Sequence, residues 1–168
     1  SVLRINGNNT LNKLIISKFY KNHKMVEIKS EPYTITFGII GAGRIGKLHA
    51  DNLLSHVKGA KLKTVTDPFL DESWAASLNI PETGKDHRIM LDDPEIDAIL
   101  IGSPSPEHAA QMIECAGAGK HIFCEKPVGL NAVQAYQIWT AFQNKPLGHF
   151  VPFWTRYVPV FARAREFV

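Results

Sequence analysis

Between residues 34 and 151 the apolar positions fall into short blocks of strand period, alternating with longer stretches of helical period. Thr34 to Ile40 is a β-branched and aromatic run that leads directly into Gly41-Ala42-Gly43-Arg44-Ile45-Gly46, and a helical stretch from Lys47 to Leu54 follows at once. Ala60 to Thr66 alternates apolar with polar residues and stops at Asp67-Pro68, because proline cannot extend the ladder. Asp71 to Leu78 reads as a short helix. Residues 79 to 90, broken by Pro81 and Gly84 and charged from Lys85 to Arg88, leave room only for a weak edge strand. Asp97 to Ile101 is almost continuously apolar, as expected of a central parallel strand covered on both faces. A helix from Pro106 to Ala118 is bounded by proline at its first position and Gly119 after its end. His121 to Cys124 is the next strand. A helix from Asn131, a suitable N-cap, to Gln143 follows, then a shorter and less regular strand from Leu147 to Val151. This alternation predicts an α/β fold over residues 33–151: a doubly wound parallel sheet of the Rossmann type.

The composition agrees with a folded, globular chain. Of 168 residues, 45% are hydrophobic and 21% charged, and the length suffices to bury a core without disulfides or a structural metal. Cys115 and Cys124 have neither a paired nor a metal-ligand spacing, so they read as buried free thiols and no metal site is expected. A reducing compartment follows, with the cytoplasm as the expected location. The net charge of +3 is uneven, because residues 1–30 hold Arg4, Lys13, Lys18, Lys21, Lys24 and Lys29 against Glu27 alone, leaving the rest slightly acidic. The cations of the organised part are scattered among acids without aromatic interleaving, which argues against a nucleic-acid surface. No apolar run reaches membrane-spanning length. Residues 1–32 form a basic tail outside the pattern, with three readings open: a disordered, solvated tail, sequence upstream of a start at Met25, or a transit peptide in residues 1–24 that would direct the chain to mitochondria.

Candidate chemistry gathers at the ends of the strands. A G-x-G-x-x-G string alone is weak evidence, but here it follows a strand and opens a helix. Gly41 can then make the tight turn, Gly43 can let the backbone approach a pyrophosphate, and Gly46 can let helix and strand pack closely. The helix start would supply free N–H groups and a partial positive charge. Asp67 ends the second strand 21 residues after Gly46, where a carboxylate reaches the hydroxyls of an adenosine ribose and repels a 2′-phosphate. The expected cofactor is therefore NAD, with NADP disfavoured. The plainer alternative for Asp67 is a turn-capping acid before Pro68. Two further loops, Gly102-Ser103-Pro104-Ser105-Pro106-Glu107-His108 and Glu125-Lys126-Pro127, lie at carboxyl ends of strands, where open sheets bind ligands. Taken separately, His108 could serve only its own helix, and Lys126 could be a surface lysine beside Glu125.

The order Gly41-Ala42-Gly43-Arg44-Ile45-Gly46, Thr66-Asp67-Pro68, Asp97-Ala98-Ile99 leading to Pro104 and His108, then Glu125-Lys126-Pro127 resembles the glucose-fructose oxidoreductase and inositol dehydrogenase family (Gfo/Idh/MocA), and is most similar to its inositol 2-dehydrogenase group. The resemblance spans roughly residues 34–130. It implies an NAD-dependent dehydrogenase that oxidises a hydroxyl of a cyclitol or sugar, myo-inositol first. It also implies that Gly41, Ala42, Gly43, Arg44, Ile45 and Gly46 line the pyrophosphate, that Asp67 holds the adenosine ribose, and that Ser103, Pro104 and His108 lie along the middle of the dinucleotide. Glu125 would sit beside the nicotinamide ribose, and Lys126 would hydrogen-bond the reacting hydroxyl as the catalytic residue.

After Lys126 the likeness thins. Family members continue into a Gly-Phe-Asn-Arg-Arg-Phe-like stretch, where this chain has Pro152-Phe153-Trp154-Thr155-Arg156-Tyr157, and Pro152 and Trp154 depart from it. Residues 152–168, including a helix over Phe161 to Val168, then read as the start of a second, α+β substrate domain that is largely missing. In the family that domain brings an Asp and a His for proton relay and the usual homo-oligomer surface. Its loss would leave Phe150, Phe153, Trp154 and Phe161 without cover. A second reading of function is therefore a non-catalytic NAD-binding module, and a third an inactive fragment.

Overall fold

The computed structural model describes residues 34–153 and 158–164; the basic tail, Trp154, and the end of the last predicted helix lie outside the described residues. Six strands form one sheet: β1 (Ile35–Ile40), β2 (Ala60–Thr66), β3 (Glu82–Gly84), β4 (Ala98–Ile101), β5 (His121–Cys124) and β6 (His149–Phe150). Every neighbouring pair is parallel and the order is β3-β2-β1-β4-β5-β6. Connections after β1 run one way and those after β4 the other, so the topological switch lies between β1 and β4. There the carboxyl ends of adjacent strands open a crevice.

Each face carries its own core, divided by the two-residue period of the strands. Ile39, Leu62, Val65 and Leu100 pack with Ala50 and Leu53 of α1 (Arg44–Ser55), and Trp74 of α2 (Glu72–Ser77) closes against them. Ile40, Ile99, Ile101, Ile122 and Cys124 point to the other face. There they meet Met90 of α3 (Arg88–Leu91), Met112 and Cys115 of α4 (His108–Gly117), and Ile138 and Phe142 of α5 (Ala132–Phe142). All four residues of β4 are buried, which explains its unbroken apolar run. Each such side chain contributes about 1.5–3 kcal/mol through burial.

Local chemistry sets the boundaries. Asp71 caps α2 by accepting from the Trp74 N–H at 3.1 Å. Asn131 caps α5 by accepting from Gln134 N at 3.0 Å, while Gln134 Oε1 reaches back to Leu130 N at 2.7 Å. At the amino ends of β4 and β5, the buried Lys120 ammonium donates to the carbonyls of Asp93 and Ile96 at 2.5 and 2.9 Å, fixing the turn that enters β4.

Several boundaries differ from the sequence-based expectations. Helix α1 begins at Arg44 rather than Lys47, because the glycine string is itself the first turn. Pro106 sits in a 3-10 turn, Ser105–Glu107, ahead of α4. The charged stretch after the weak edge strand folds into α3 around Met90, which fills the space left by the missing side chain of Gly38. Strand β6 has two residues rather than five. The last described helix, α6 (Pro159–Ala164), begins before Phe161. Phe150 and Phe153 are exposed. Among the described residues no helix is long and apolar enough to cross a membrane.

Candidate functional site

At the switch point two backbones meet without side chains between them. Gly41 has φ +92°, and a Cβ there would lie 2.6 Å from Ser103 N and 2.8 Å from the Gly102 carbonyl carbon. A Cβ on Gly46 would run into the Gly41 carbonyl oxygen. Helix α1 therefore packs directly against the turn that launches it, and the Ser103 loop packs against that turn from the other side. Gly43 differs: a Cβ there would meet nothing within 4 Å. It is the N-cap of α1 and provides no side-chain cap, so the first-turn N–H groups, which lack intrahelical partners, face an open crevice.

Asp67 closes the turn from the side of β2. Its Oδ2 accepts from the Ala42 N–H at 2.7 Å and its Oδ1 from the Phe69 N–H at 2.8 Å, while its own N–H donates to Gly84. The carboxylate is thus oriented by backbone donors, with further lone pairs left to accept. The Ala42 N–H is committed to this contact, so Ala42 helps to aim Asp67.

A cavity of about 660 Å³, within the range of small-molecule sites, is lined by Gly41, Gly43, Arg44, Ile45, Asp67, Ser103 and Pro104, all singled out from the sequence. Ala42, Gly46, His108, Glu125 and Lys126 do not line it. Gly46 sits behind the turn. His108 is buried, with Nδ1 at 2.7 Å from the Pro127 carbonyl oxygen and Nε2 at 2.9 Å from that of Ser103, so it straps the two loops together. Glu125 lies at the end of β5, its N–H bonded to Ile101, and Lys126 is exposed beyond it, before a cis bond to Pro127.

Phe69, Lys85, His87 and Gln111 also line it without having been singled out from the sequence, and Glu107 lines it from the loop already picked out there. Phe69 is 93% exposed, an apolar plate at the cavity rim. Gln111 Oε1 accepts from the Ser103 hydroxyl at 2.5 Å, and His87 pairs with Glu114 at 2.5 Å. On the flank, Lys47 bonds Asp71 at 3.1 Å and lies 4.8 Å from the centroid of the Trp74 ring. The Ser73 hydroxyl, the Trp74 N–H and Lys47 together hold the Asp71 carboxyl well below the usual carboxylate range. These residues come together only through the fold; Phe69, directly after Asp67-Pro68, is the one that sequence position could have flagged.

The space beside Gly43, the uncapped helix start and the oriented Asp67 carboxylate together suit a ligand with a diphosphate next to a ribose. A Cβ at Gly43 would meet nothing within 4 Å, so the cavity beside the helix start has room for such a group.

Residues 35–152 match the model of the Gfo/Idh/MocA family, described as an oxidoreductase family with an NAD-binding Rossmann fold. The chain is 41% identical over 136 residues to an uncharacterised oxidoreductase of Bacillus subtilis, and 34% identical over the same length to the scyllo-inositol 2-dehydrogenase (NAD(+)) of that organism. Each alignment covers 80% of this chain and 40% of the relative, so the chain spans about two fifths of the length of the curated relatives it matches. A crystal structure of scyllo-inositol dehydrogenase from Lactobacillus casei, with NAD(H) and scyllo-inositol bound, superposes with TM-score 0.73 at 33% identity over 79% of this chain and 40% of that one. The family match over most of the described sheet, together with these relatives, places the chain: it belongs to the Gfo/Idh/MocA oxidoreductase family, with its NAD-binding Rossmann fold in residues 35–152.

Proposed function

We propose that the chain is the dinucleotide-binding part of an NAD-dependent dehydrogenase acting on a secondary hydroxyl of a cyclitol or sugar, with myo-inositol or its scyllo isomer as first candidates. One observation carries the binding half of this reading: the Asp67 carboxylate is fastened to the glycine turn at the edge of a cavity whose other wall is the Ser103 loop. Relatives named as inositol dehydrogenases support the substrate class.

In this reading the turn from Gly41 to Gly46 cradles the pyrophosphate. Asp67 accepts from the adenosine ribose hydroxyls and selects NAD over NADP by repelling a 2′-phosphate. Ser103 and Pro104 flank the middle of the dinucleotide, and His108 fixes their loop against Pro127. Glu125 stands at the nicotinamide ribose. Lys126 hydrogen-bonds the reacting hydroxyl and favours loss of its proton. When bound, NAD supplies the oxidant: the carbinol carbon gives up a hydride to it, the hydroxyl proton is released, and the alcohol becomes a ketone.

Titration of the 168-residue chain with NAD, NADH and NADP, followed by assay of myo- and scyllo-inositol oxidation, tests this function. NAD binding with turnover is the expected result for the enzyme. Binding without turnover would assign the chain the binding step alone, and no NAD binding would refute the proposal. Given turnover by the parent chain, unchanged turnover in Lys126→Ala would remove Lys126 from the chemistry.

A further inference from the structure

Helix α1 carries a second polar contact, one turn beyond the glycine string, that the site described above does not use. His49 Nε2 lies 2.9 Å from Glu125 Oε1, and both side chains are only 19% exposed. The imidazole meets the Phe123 ring edge-on, centroids 5.2 Å apart and planes at 69°, and Phe123 in turn leans on Phe150 at 5.4 Å. The ring is therefore held by an aromatic neighbour on β5 two residues before the carboxylate it touches.

Glu125 is held through both its backbone and its side chain. Its backbone N–H donates to Ile101 at 2.9 Å, its Oε2 accepts from the Lys126 N–H at 3.2 Å, and its Oε1 faces His49. His49 itself has little freedom. Gly46, one turn earlier, is pressed against the Gly41 carbonyl, and Ala50 is buried in the core beside it. The same rigid helix thus ends at the phosphate cradle and braces the Glu125-Lys126 segment. With both groups mostly shielded from water, the contact holds the carboxylate in one place more firmly than a surface pair would. Its placement between the helix that starts at the glycine string and the segment assigned above to the nicotinamide ribose points to alignment.

We propose that His49 is a positioning residue: it fixes the Glu125 carboxylate, and through it the Lys126 N–H, for the nicotinamide-ribose half of a bound dinucleotide. The inference rests on the dinucleotide reading above and adds to it a residue and a division of labour. The adenosine and pyrophosphate end depends on Gly43 and Asp67. The nicotinamide end depends on His49 acting through Glu125.

Calorimetric titration of the 168-residue chain with NAD and, separately, with ADP, which lacks the nicotinamide ribose, tests the division. In His49→Ala, binding must order the freed Glu125 side chain, so NAD affinity is expected to fall by up to about tenfold, with ADP affinity unchanged. His49→Gln, which keeps an amide donor of similar reach, is expected to recover most of the NAD affinity. Equal losses for NAD and ADP, or no loss for either, would overturn the proposal. Should His49→Ala fail to fold, as judged by circular dichroism and urea denaturation, His49→Leu, which keeps the packing on Phe123 and removes the polar contact, decides: a loss confined to NAD upholds the proposal, and parental binding or a parallel loss of both overturns it. A parent chain that binds neither ligand refutes the dinucleotide reading itself, and this inference with it.

Discussion

The two glycines at either end of the G-x-x-G half of the turn respond in opposite ways to the same added methyl. At Gly43 the backbone is extended, φ −70° and ψ −173°, a conformation open to alanine, and no atom lies within 4 Å of the added Cβ. Restricting the unfolded chain stabilises by about 0.4–1 kcal/mol. Alanine is a poorer N-cap than glycine by about as much, so the two effects offset and Gly43→Ala should keep its parental stability. The methyl instead occupies the space proposed for the pyrophosphate. Overpacking of about 1–3 kcal/mol corresponds to a loss of roughly fivefold to 150-fold in NAD affinity. At Gly46 helix propensity favours alanine by about 1 kcal/mol, but the Cβ would collide with the Gly41 carbonyl, a backbone atom that cannot swing aside. Against a backbone atom the overpacking cost lies in the upper part of its range, about 2–3 kcal/mol, so Gly46→Ala should be destabilised by about 1–2 kcal/mol net. Urea denaturation with a common m-value and NAD titration on the same samples read both effects. A Gly43→Ala chain that binds NAD like the parent would remove the phosphates from this crevice, and a more stable Gly46→Ala chain would contradict the close packing of α1.

Asp67→Asn keeps one backbone-facing oxygen but removes the charge; exchanging charge-assisted for neutral hydrogen bonds costs about 1–1.5 kcal/mol, so NAD should bind about tenfold more weakly while the preference over NADP narrows, and fluorescence titration that finds both unchanged would return Asp67 to a turn cap. The Asp93 carboxyl is held below its ordinary value of 3.8, first by the Lys63 hydrogen bond at 2.6 Å and next by the Glu95 N–H. A depressed carboxylate gives stability that is complete above its unfolded pKa and lost as pH falls through the folded one, so urea midpoints should decline below about pH 5, and less steeply in Lys63→Met; equal slopes would refute the coupling. Burial pushes the Cys115 and Cys124 thiols up to about 12, so a maleimide at pH 8 should label neither until the chain is unfolded in urea. Rapid labelling of the native chain would show that the α4–β5 core is open.

The strands were legible where period and punctuation coincide: β1 before the glycine string, β2 before Asp67-Pro68, and the apolar β4. Their carboxyl-end loops followed, because strand order places them at one edge. Helix α3 was not legible, since four residues are too few to show a period and its reason for existing is the hole at Gly38 that only the folded sheet creates. His108 was picked out for the right neighbourhood, but its burial between two carbonyls depends on loops 19 residues apart meeting. His49 gave no signal, being one polar residue on an amphipathic helix whose partner is 76 residues away. Phe69, Lys85 and His87 come from loops whose ligand-facing side is decided by the packing of α2 and α3.

The contact between the Gly41 turn and the Ser103 loop is main chain on main chain, with no side chain as a spacer. Mutation can therefore alter what surrounds the crevice without altering the crevice. Exchanges at Phe69, Lys85 or Glu107 would reshape the cavity wall and leave the turn in place, as jaws are changed on a fixed vice, whereas any side chain larger than hydrogen at Gly41 or Gly46 would spring the frame itself.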